Sequence, residues 1–291
     1  MSASFLLPVR VMAIGRNTFT ELVRQKVFYF LLLFSLIMIG SSSFLAKISF
    51  QGEFQMLKDV ALGAMSVFLC LLSILATAML LPRDLEDRTI FTILSKPVPR
   101  FEYLLGKLLG VVFMLTLSTI LMGGLFLGVL LLREQSVLME TRQSFPASSP
   151  ELASALAEVK RSAFTWDLIP GMGILLMKSI LLASLTLLIS TFATSGIFAI
   201  LVASSAYFIG HLQVTVREYW LDGIGVHWWT RIFTALIALV FPDLQAFNLT
   251  DDIVAGVHLP MGIFWQTMAL GGVYTAVYYA VACFLFQNRE L

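Results

Sequence analysis

Six apolar stretches of the chain are each long enough to cross a lipid bilayer. They lie at approximately 27–46, 60–82, 103–132, 168–192, 195–213 and 264–286. The hydrocarbon core of a bilayer is about 30 Å thick and takes roughly 20 apolar residues in a helix, whose backbone polar groups bond within the segment itself. The pattern therefore predicts an all-α polytopic membrane protein with six transmembrane helices in a single domain over 1–291. The third stretch is long, so tilt or a protruding end is expected.

The composition agrees with a membrane protein and argues against several classes of function. Of the 291 residues, 58% are hydrophobic and only 13% are charged, whereas soluble domains carry about 25% charged residues. The net charge is +1 and no basic cluster is interleaved with exposed aromatics, so nucleic acid is not an expected partner. Cys70, Cys283 and the three histidines lack metal-ligand spacing, so no metal site is predicted.

The distribution of Lys and Arg predicts which side of the membrane each loop faces. The first 26 residues hold four basic residues, and the stretch at 82–107 holds five. Short basic flanks stay in the cytoplasm. The N-terminus, the 82–107 stretch, the turn at 193–195 and the C-terminal QNREL are therefore predicted to be cytoplasmic. The loop at 133–167 and the segment at 214–262 are predicted to be external.

The N-terminal segment PVRVMAIGRNTFTELVRQK is predicted to form an amphipathic helix. Apolar residues recur at roughly helical spacing from Val9 to Val23, and Arg16, Glu21 and Arg24 are among the polar positions. Such a helix is expected to lie at the inner leaflet before the chain turns into the first span. The alternative is a simple basic flank.

Two further short helices are expected outside the spans. In SSPELASALAEVKRS, Ser149 suits an N-cap and Pro150 suits the first helical position. The segment RIFTALIALVFPDLQAFNL from Arg231 has an apolar run of about ten residues that ends at Pro242, which is too short to span. Two tryptophans at 228–229 precede it, so a re-entrant or interfacial helix is predicted before the last span. The alternative is a seventh span, which would move the C-terminus to the other side.

Two features inside the predicted spans bear on how the helices associate and what they carry. Lys178 lies well inside the fourth span, and an ionisable residue there indicates a function, either on a translocation path or in helix pairing. Snorkelling towards the interface is the alternative. Gly106/Gly110 and Gly124/Gly128 are GxxxG pairs, which predict close helix packing within the bundle or a dimer seam.

The sequence carries no nucleotide-binding or hydrolytic motif. A phosphate-binding loop GxxxxGK[ST] is absent, because Phe101 stands where the first glycine before Gly106 and Lys107 belongs. The sequence also lacks GxSxG. The chain is therefore not expected to be an enzyme, and no catalytic, cofactor-binding or metal-binding residue is predicted.

The stretch PRDLEDRTIFTILSKPVPRFEYLLGK at 82–107 is a polar interruption between two long apolar runs. Three acidic residues at its start favour the first turn of a new helix, where the helix dipole attracts negative charge. They are Asp84, Glu86 and Asp87. Four large apolar residues follow within 90–94, and two prolines end the helix before Arg100. The pattern predicts a short amphipathic helix whose apolar face packs against lipid, another span or a partner.

Two of these segments resemble permease subunits of ABC-2-type exporters, especially the nitrous-oxide-reductase maturation permease group. They are ELVRQKVFYFLLLFSLI and DLEDRTIFTILSKPVPRFEYLLGKLLG. The second contains an acidic-Arg-Thr element at 86–89, Leu-x-x-Pro-Val-x-Arg at 94–100, and a Gly-Lys that opens the third span. FPDLQAFNL is similar to the proline-containing segment between the last two spans of that family. Pro99 departs from the family, which often has Ser there, and the loop at 133–167 has no match.

The resemblance implies a division of labour between subunits. Two permeases, as a homodimer or with a related permease, would pair with two copies of a separate ABC ATPase subunit that binds ATP and Mg²⁺. The short helix within 82–107 would be a cytoplasmic coupling helix that docks in a groove of the ATPase. The contacts so implied are Asp84, Glu86, Asp87, Arg88, Thr89 and Arg100, with Arg16, Glu21 and Arg24 of the N-terminal helix as secondary contacts.

The function implied is that of the transmembrane permease subunit of an ATP-driven ABC exporter. It would form the translocation path in the bacterial cytoplasmic (inner) membrane. A non-transporting scaffold that recruits a soluble partner is one alternative. An ion-coupled secondary carrier is another, although Lys178 is its one embedded ionisable candidate and the sequence has no convincing repeat. The apolar spans do not indicate the substrate.

Overall fold

The computed structural model describes residues 3–46, 52–86, 99–144, 150–221, 228–229, 232 and 241–288, and every regular element within them is helical. In chain order the helices are α1 (Ala3–Val23), α2 (Lys26–Ala46), α3 (Glu53–Ala78), α4 (Leu80–Glu86), α5 (Arg100–Ser144), α6 (Pro150–Ala163), α7 (Leu168–Phe192), α8 (Gly196–Leu221), α9 (Thr250–Val254) and α10 (Met261–Gln287), with a 3-10 turn at Gln245–Phe247. Within these residues, six helical stretches are long and apolar enough to cross a membrane. The predicted all-α fold with six spans is confirmed.

Helices α3 and α7 form the centre of the bundle. Helix α7 is apolar on all sides, which is typical of a helix that has protein around it. It packs against α3, α5 and α10. In helices α2, α8 and α10 less than a third of the span is buried, as expected for helices that face lipid or another chain.

Helix α5 is 45 residues long and therefore extends about 68 Å, roughly twice the hydrocarbon thickness. The expected protruding end is present, and together with α6 it makes most of the predicted external loop helical. Arg133 forms an ion pair with Glu53 at 2.7 Å, and Lys58 donates a hydrogen bond to the Ser162 carbonyl at 2.9 Å. These bonds fasten the protruding part of α5 and α6 to the start of α3.

The predicted tight hairpin between the fourth and fifth spans is confirmed. Helix α7 ends at Phe192 and α8 begins at Gly196. The hydroxyl oxygen of Ser195 accepts a hydrogen bond from the Phe198 amide at 3.3 Å, as an N-cap does. The two spans therefore run antiparallel with three residues, 193–195, between them.

The segment predicted to be re-entrant or interfacial falls largely outside the described residues. Residues 228–229 and 232 are helical, and their side chains are exposed. From 241 the chain packs against the bundle, because the Leu244 amide donates to the Gly210 carbonyl at 3.1 Å and Phe247 is fully buried. The interfacial helix itself stays a prediction.

Helix α1 packs directly on the first turns of α5. A Cβ atom at Gly110 would lie 2.6 Å from the Cβ of Thr18, and one at Gly106 would be equally crowded by α1. Only glycine permits this approach, so the predicted packing role of this GxxxG pair is confirmed. A Cβ at Gly124 or Gly128 would meet nothing within 4 Å, so that pair packs against none of the described residues.

Candidate coupling site

Five side chains from three helices meet at the end of the bundle that carries the N-terminal helix. This charged junction consists of Glu21 of α1, Arg83 and Asp84 of α4, and Tyr103 and Lys107 of α5. It flanks residues 87–98, which lie outside the described residues. The predicted coupling helix is therefore not described, but the helices on both sides of it are.

A buried ion pair forms the centre of the charged junction. The Lys107 ammonium lies 2.6 Å from Oδ2 of Asp84, and the two residues are 3% and 8% exposed. The Tyr103 hydroxyl donates a hydrogen bond to the same carboxylate oxygen, and the ammonium lies 5.7 Å from the centre of the Tyr103 ring. Removing one partner of a buried pair typically costs about 3–5 kcal/mol, because the other charge stays buried. The pair therefore holds the end of the second span against the start of the third.

Glu21 connects helix α1 to this pair. Its carboxylate lies 3.9 Å from the Lys107 ammonium and 3.7 Å from the Arg83 guanidinium. The side chains of Arg83 and Glu21 are 51% and 32% exposed, so water screens this contact and it is weaker than the buried pair. The charges of the two acidic and two basic residues in the charged junction sum to zero.

The position expected for Asp84, in the first turn of a new helix, is wrong. Helix α4 begins directly after the end of α3, with Met79 alone between them, and the Arg83 amide donates to the Met79 carbonyl at 3.2 Å. Pro82 is compatible with this helix because it sits in the first turn, where the amide needs no helical partner. Asp84 is thus enclosed and engaged within the chain, whereas Glu86 is exposed at the end of α4.

Arg100 has intramolecular partners that the sequence did not predict. Its Nη1 donates to the carbonyls of Phe286 and Gln287 at 2.9 and 2.8 Å, and its guanidinium lies 5.9 Å from the centre of the Phe286 ring. A cation that bonds the last carbonyls of a helix also offsets the helix dipole. Arg100 therefore ties the start of α5 to the end of α10. The Tyr279 hydroxyl strengthens this link by donating to the Phe101 carbonyl at 2.8 Å.

The remaining residues implied as ATPase contacts divide into two groups. Arg16 and Arg24 are exposed at the surface of α1 and just after it. Asp87, Arg88 and Thr89 lie outside the described residues. The contact role of both groups stays a prediction.

Sequence reasoning missed two buried polar residues of α5. Tyr103 was not singled out, and neither was Glu102, which is 4% exposed and lies 4.0 Å from Arg10 of α1. A glutamate and a tyrosine at the start of an apolar helix were a usable signal, because polar groups buried there need partners. Their partners lie on other helices, so the sequence of one helix alone does not identify them.

Lys178 lies inside the bundle, in the middle of α7. The residue is 2% exposed, so its side chain is enclosed and does not extend to an interface. Cys70 of α3 and Tyr207 of α8 belong to the cluster that packs against the neighbouring turns of α7. The ring of His211 lies 4.8 Å from that of Tyr207, and its buried Nδ1 has no hydrogen-bond partner among the described residues. A strip of polar groups thus runs between the second, fourth and fifth spans.

These features describe a multi-pass helical membrane protein with a charged junction at one end and a polar strip inside. A family model described as an ABC-2 family transporter protein matches residues 12–291. The chain therefore belongs to the ABC-2 transporter family and is a membrane transport component. The match identifies the family but not a particular group within it. No curated protein matches the chain.

Proposed function

We propose that this chain is the permease subunit of an ATP-driven exporter, which forms the translocation path and is driven by a separate ATPase subunit. The ATPase would bind ATP and Mg²⁺, in agreement with the absence of a phosphate-binding loop from this sequence. The observation that carries the proposal is the charged junction, which joins α1 to the helices that precede and follow residues 87–98 in the chain.

The charged junction is suited to transmit a force from a partner protein to the membrane spans. A force on residues 87–98 would reach α4 and α5 together, because Asp84 and Lys107 resist their separation. Helix α1 would follow through Glu21 and the glycine contact, and α10 would follow through Arg100. Small displacements at one site become rigid-body movements when the linked elements are packed and bonded in this way.

The proposal includes the surroundings of the chain. Both termini would lie in the cytoplasm of a bacterium, with the permease in the inner membrane. A second copy would pack against exposed spans such as α2, α8 or α10. Light scattering of the protein in detergent tests whether a second copy is bound. A dimer is expected, and a monomer would contradict the pairing.

Charge reversal at the coupling segment tests the proposed contact with an ATPase. The double variant Glu86→Lys/Asp87→Lys is expected to retain at least tenfold less ATPase subunit in a pull-down, because two of the proposed contacts change sign. The ATPase is identified beforehand as the phosphate-binding-loop protein that co-purifies with the native chain. The matched control is Glu151→Lys/Glu158→Lys, which reverses two exposed acids on α6.

Two results would contradict the proposal. Unchanged ATPase retention by the coupling-segment variant would remove the docking role. A native complex that co-purifies but shows no permease-stimulated ATP hydrolysis would instead favour a scaffold.

A further inference from the structure

A cavity of about 630 Å³ lies where α1 turns into α2, beside the charged junction. Its charged lining consists of Arg24, Lys26 and Arg83 with the single carboxylate of Glu21. Three positive charges minus one negative charge leave an excess of two. The cavity therefore favours an anion.

The two exposed cations, Arg24 and Lys26, supply the part of this charge that faces outwards. Glu21 does not cancel them, because its carboxylate is directed to Arg83 and Lys107 at 3.7 and 3.9 Å. Helix α2 begins at Lys26, so the positive end of its dipole adds to the same potential.

The position of the cavity indicates which anion it meets. Lys26 is the first residue of the candidate span Lys26–Phe44, and the neighbouring Val27 also lines the cavity. The cavity thus lies at the boundary between water and hydrocarbon, which is the depth of phospholipid headgroups. Basic residues at this depth attract the anionic lipids of the cytoplasmic leaflet.

We propose that this cavity binds the phosphate headgroup of an anionic phospholipid, such as phosphatidylglycerol. Arg24 and Lys26 hold the phosphate, and Asn17, Thr20 and Gln25 in the lining offer hydrogen bonds to the glycerol hydroxyls. The site requires the chain to be in a membrane, and its assignment to the inner leaflet rests on the proposed orientation.

Native mass spectrometry of the purified full chain in detergent tests the proposal. The protein is titrated separately with phosphatidylglycerol, phosphatidylcholine and inorganic phosphate. Arg24→Gln/Lys26→Gln is expected to weaken phosphatidylglycerol binding by about tenfold or more, because two cationic contacts are removed. The matched control is Arg142→Gln/Lys160→Gln, which removes two exposed cations from the opposite end of the molecule.

Three outcomes overturn the proposal. They are equal phosphatidylglycerol affinity in the native chain and the cavity variant, an equal loss in the control, and binding of inorganic phosphate as tight as that of phosphatidylglycerol. The last outcome would identify a site for a soluble anion. All three measurements omit the ATPase, so their failure leaves the proposed coupling role intact.

Discussion

Buried lysines have different surroundings in this protein, and those surroundings determine what each one can do. Lys107 is bonded to Asp84, and Lys58 donates to the Ser162 carbonyl at 2.9 Å. Lys178 is as buried as Lys58, at 2% exposure, but it forms no ion pair with a carboxylate among the described residues. Burial of a cation without an acidic partner is costly and indicates a function beyond packing.

Lys178→Met is expected to lower ATP hydrolysis by the reconstituted permease–ATPase complex without lowering the melting temperature. Methionine keeps much of the volume and removes the buried charge, and such replacements are often neutral or stabilising. The control is Lys58→Met, which breaks the bond to Ser162 and is expected to lower the melting temperature by about 2–4 °C, for a loss of about 1 kcal/mol. Thermal unfolding and ATPase assays make the two measurements.

A different result would assign Lys178 to helix pairing. In that case Lys178→Met would destabilise the protein as much as Lys58→Met does. Unchanged stability together with unchanged activity would remove both roles.

At the scale of single elements, the contact between α1 and α5 depends on two glycines. Gly110→Ala is expected to loosen α1 at a cost of about 1–3 kcal/mol, because the new Cβ would lie 2.6 Å from Thr18 Cβ and 2.8 Å from the Gly15 carbonyl. Hydrogen exchange of the α1 amides measures the effect, which should be faster exchange over 8–23.

Gly124→Ala is the control for this substitution, since it lies on the same helix with nothing within 4 Å of the new methyl group. It is expected to be neutral or to stabilise the protein by up to about 1 kcal/mol, through helix propensity. Equal exchange of α1 in the two variants would show that the glycine contact does not hold α1.

At the scale of the whole molecule, an even number of spans places both termini on one side of the membrane. In a chain whose two native cysteines are replaced by alanine, Ser154→Cys on α6 should react with a membrane-impermeant maleimide in intact cells. Asn288→Cys, just after α10, should react only after permeabilisation. Both positions are exposed, so accessibility within the protein does not limit either reaction. Reaction of both in intact cells would require an even number of spans between them, instead of the three predicted.

The hydropathy of the sequence determined the number of spans and their approximate bounds by itself. Each span satisfies its backbone hydrogen bonds within one segment, so its length and apolarity are local properties of the chain. The hairpin at 193–195 and helix α6 were predictable for the same reason, because a turn or a cap depends on adjacent residues. The acidic residues predicted that Asp84 would lie in the first turn of a new helix, but Asp84 lies in α4 at the end of the second span, and the rest of the predicted helix falls outside the described residues.

Only the tertiary structure decided which polar residues meet. Asp84 bonds Lys107, Arg100 bonds the end of α10, and α1 lies on Gly106 and Gly110. In each case the partners are on different helices, and their contact depends on the direction and rotation of both. A hydropathy pattern records which residues leave water, whereas the pairing of buried charges is set by the packing of whole helices.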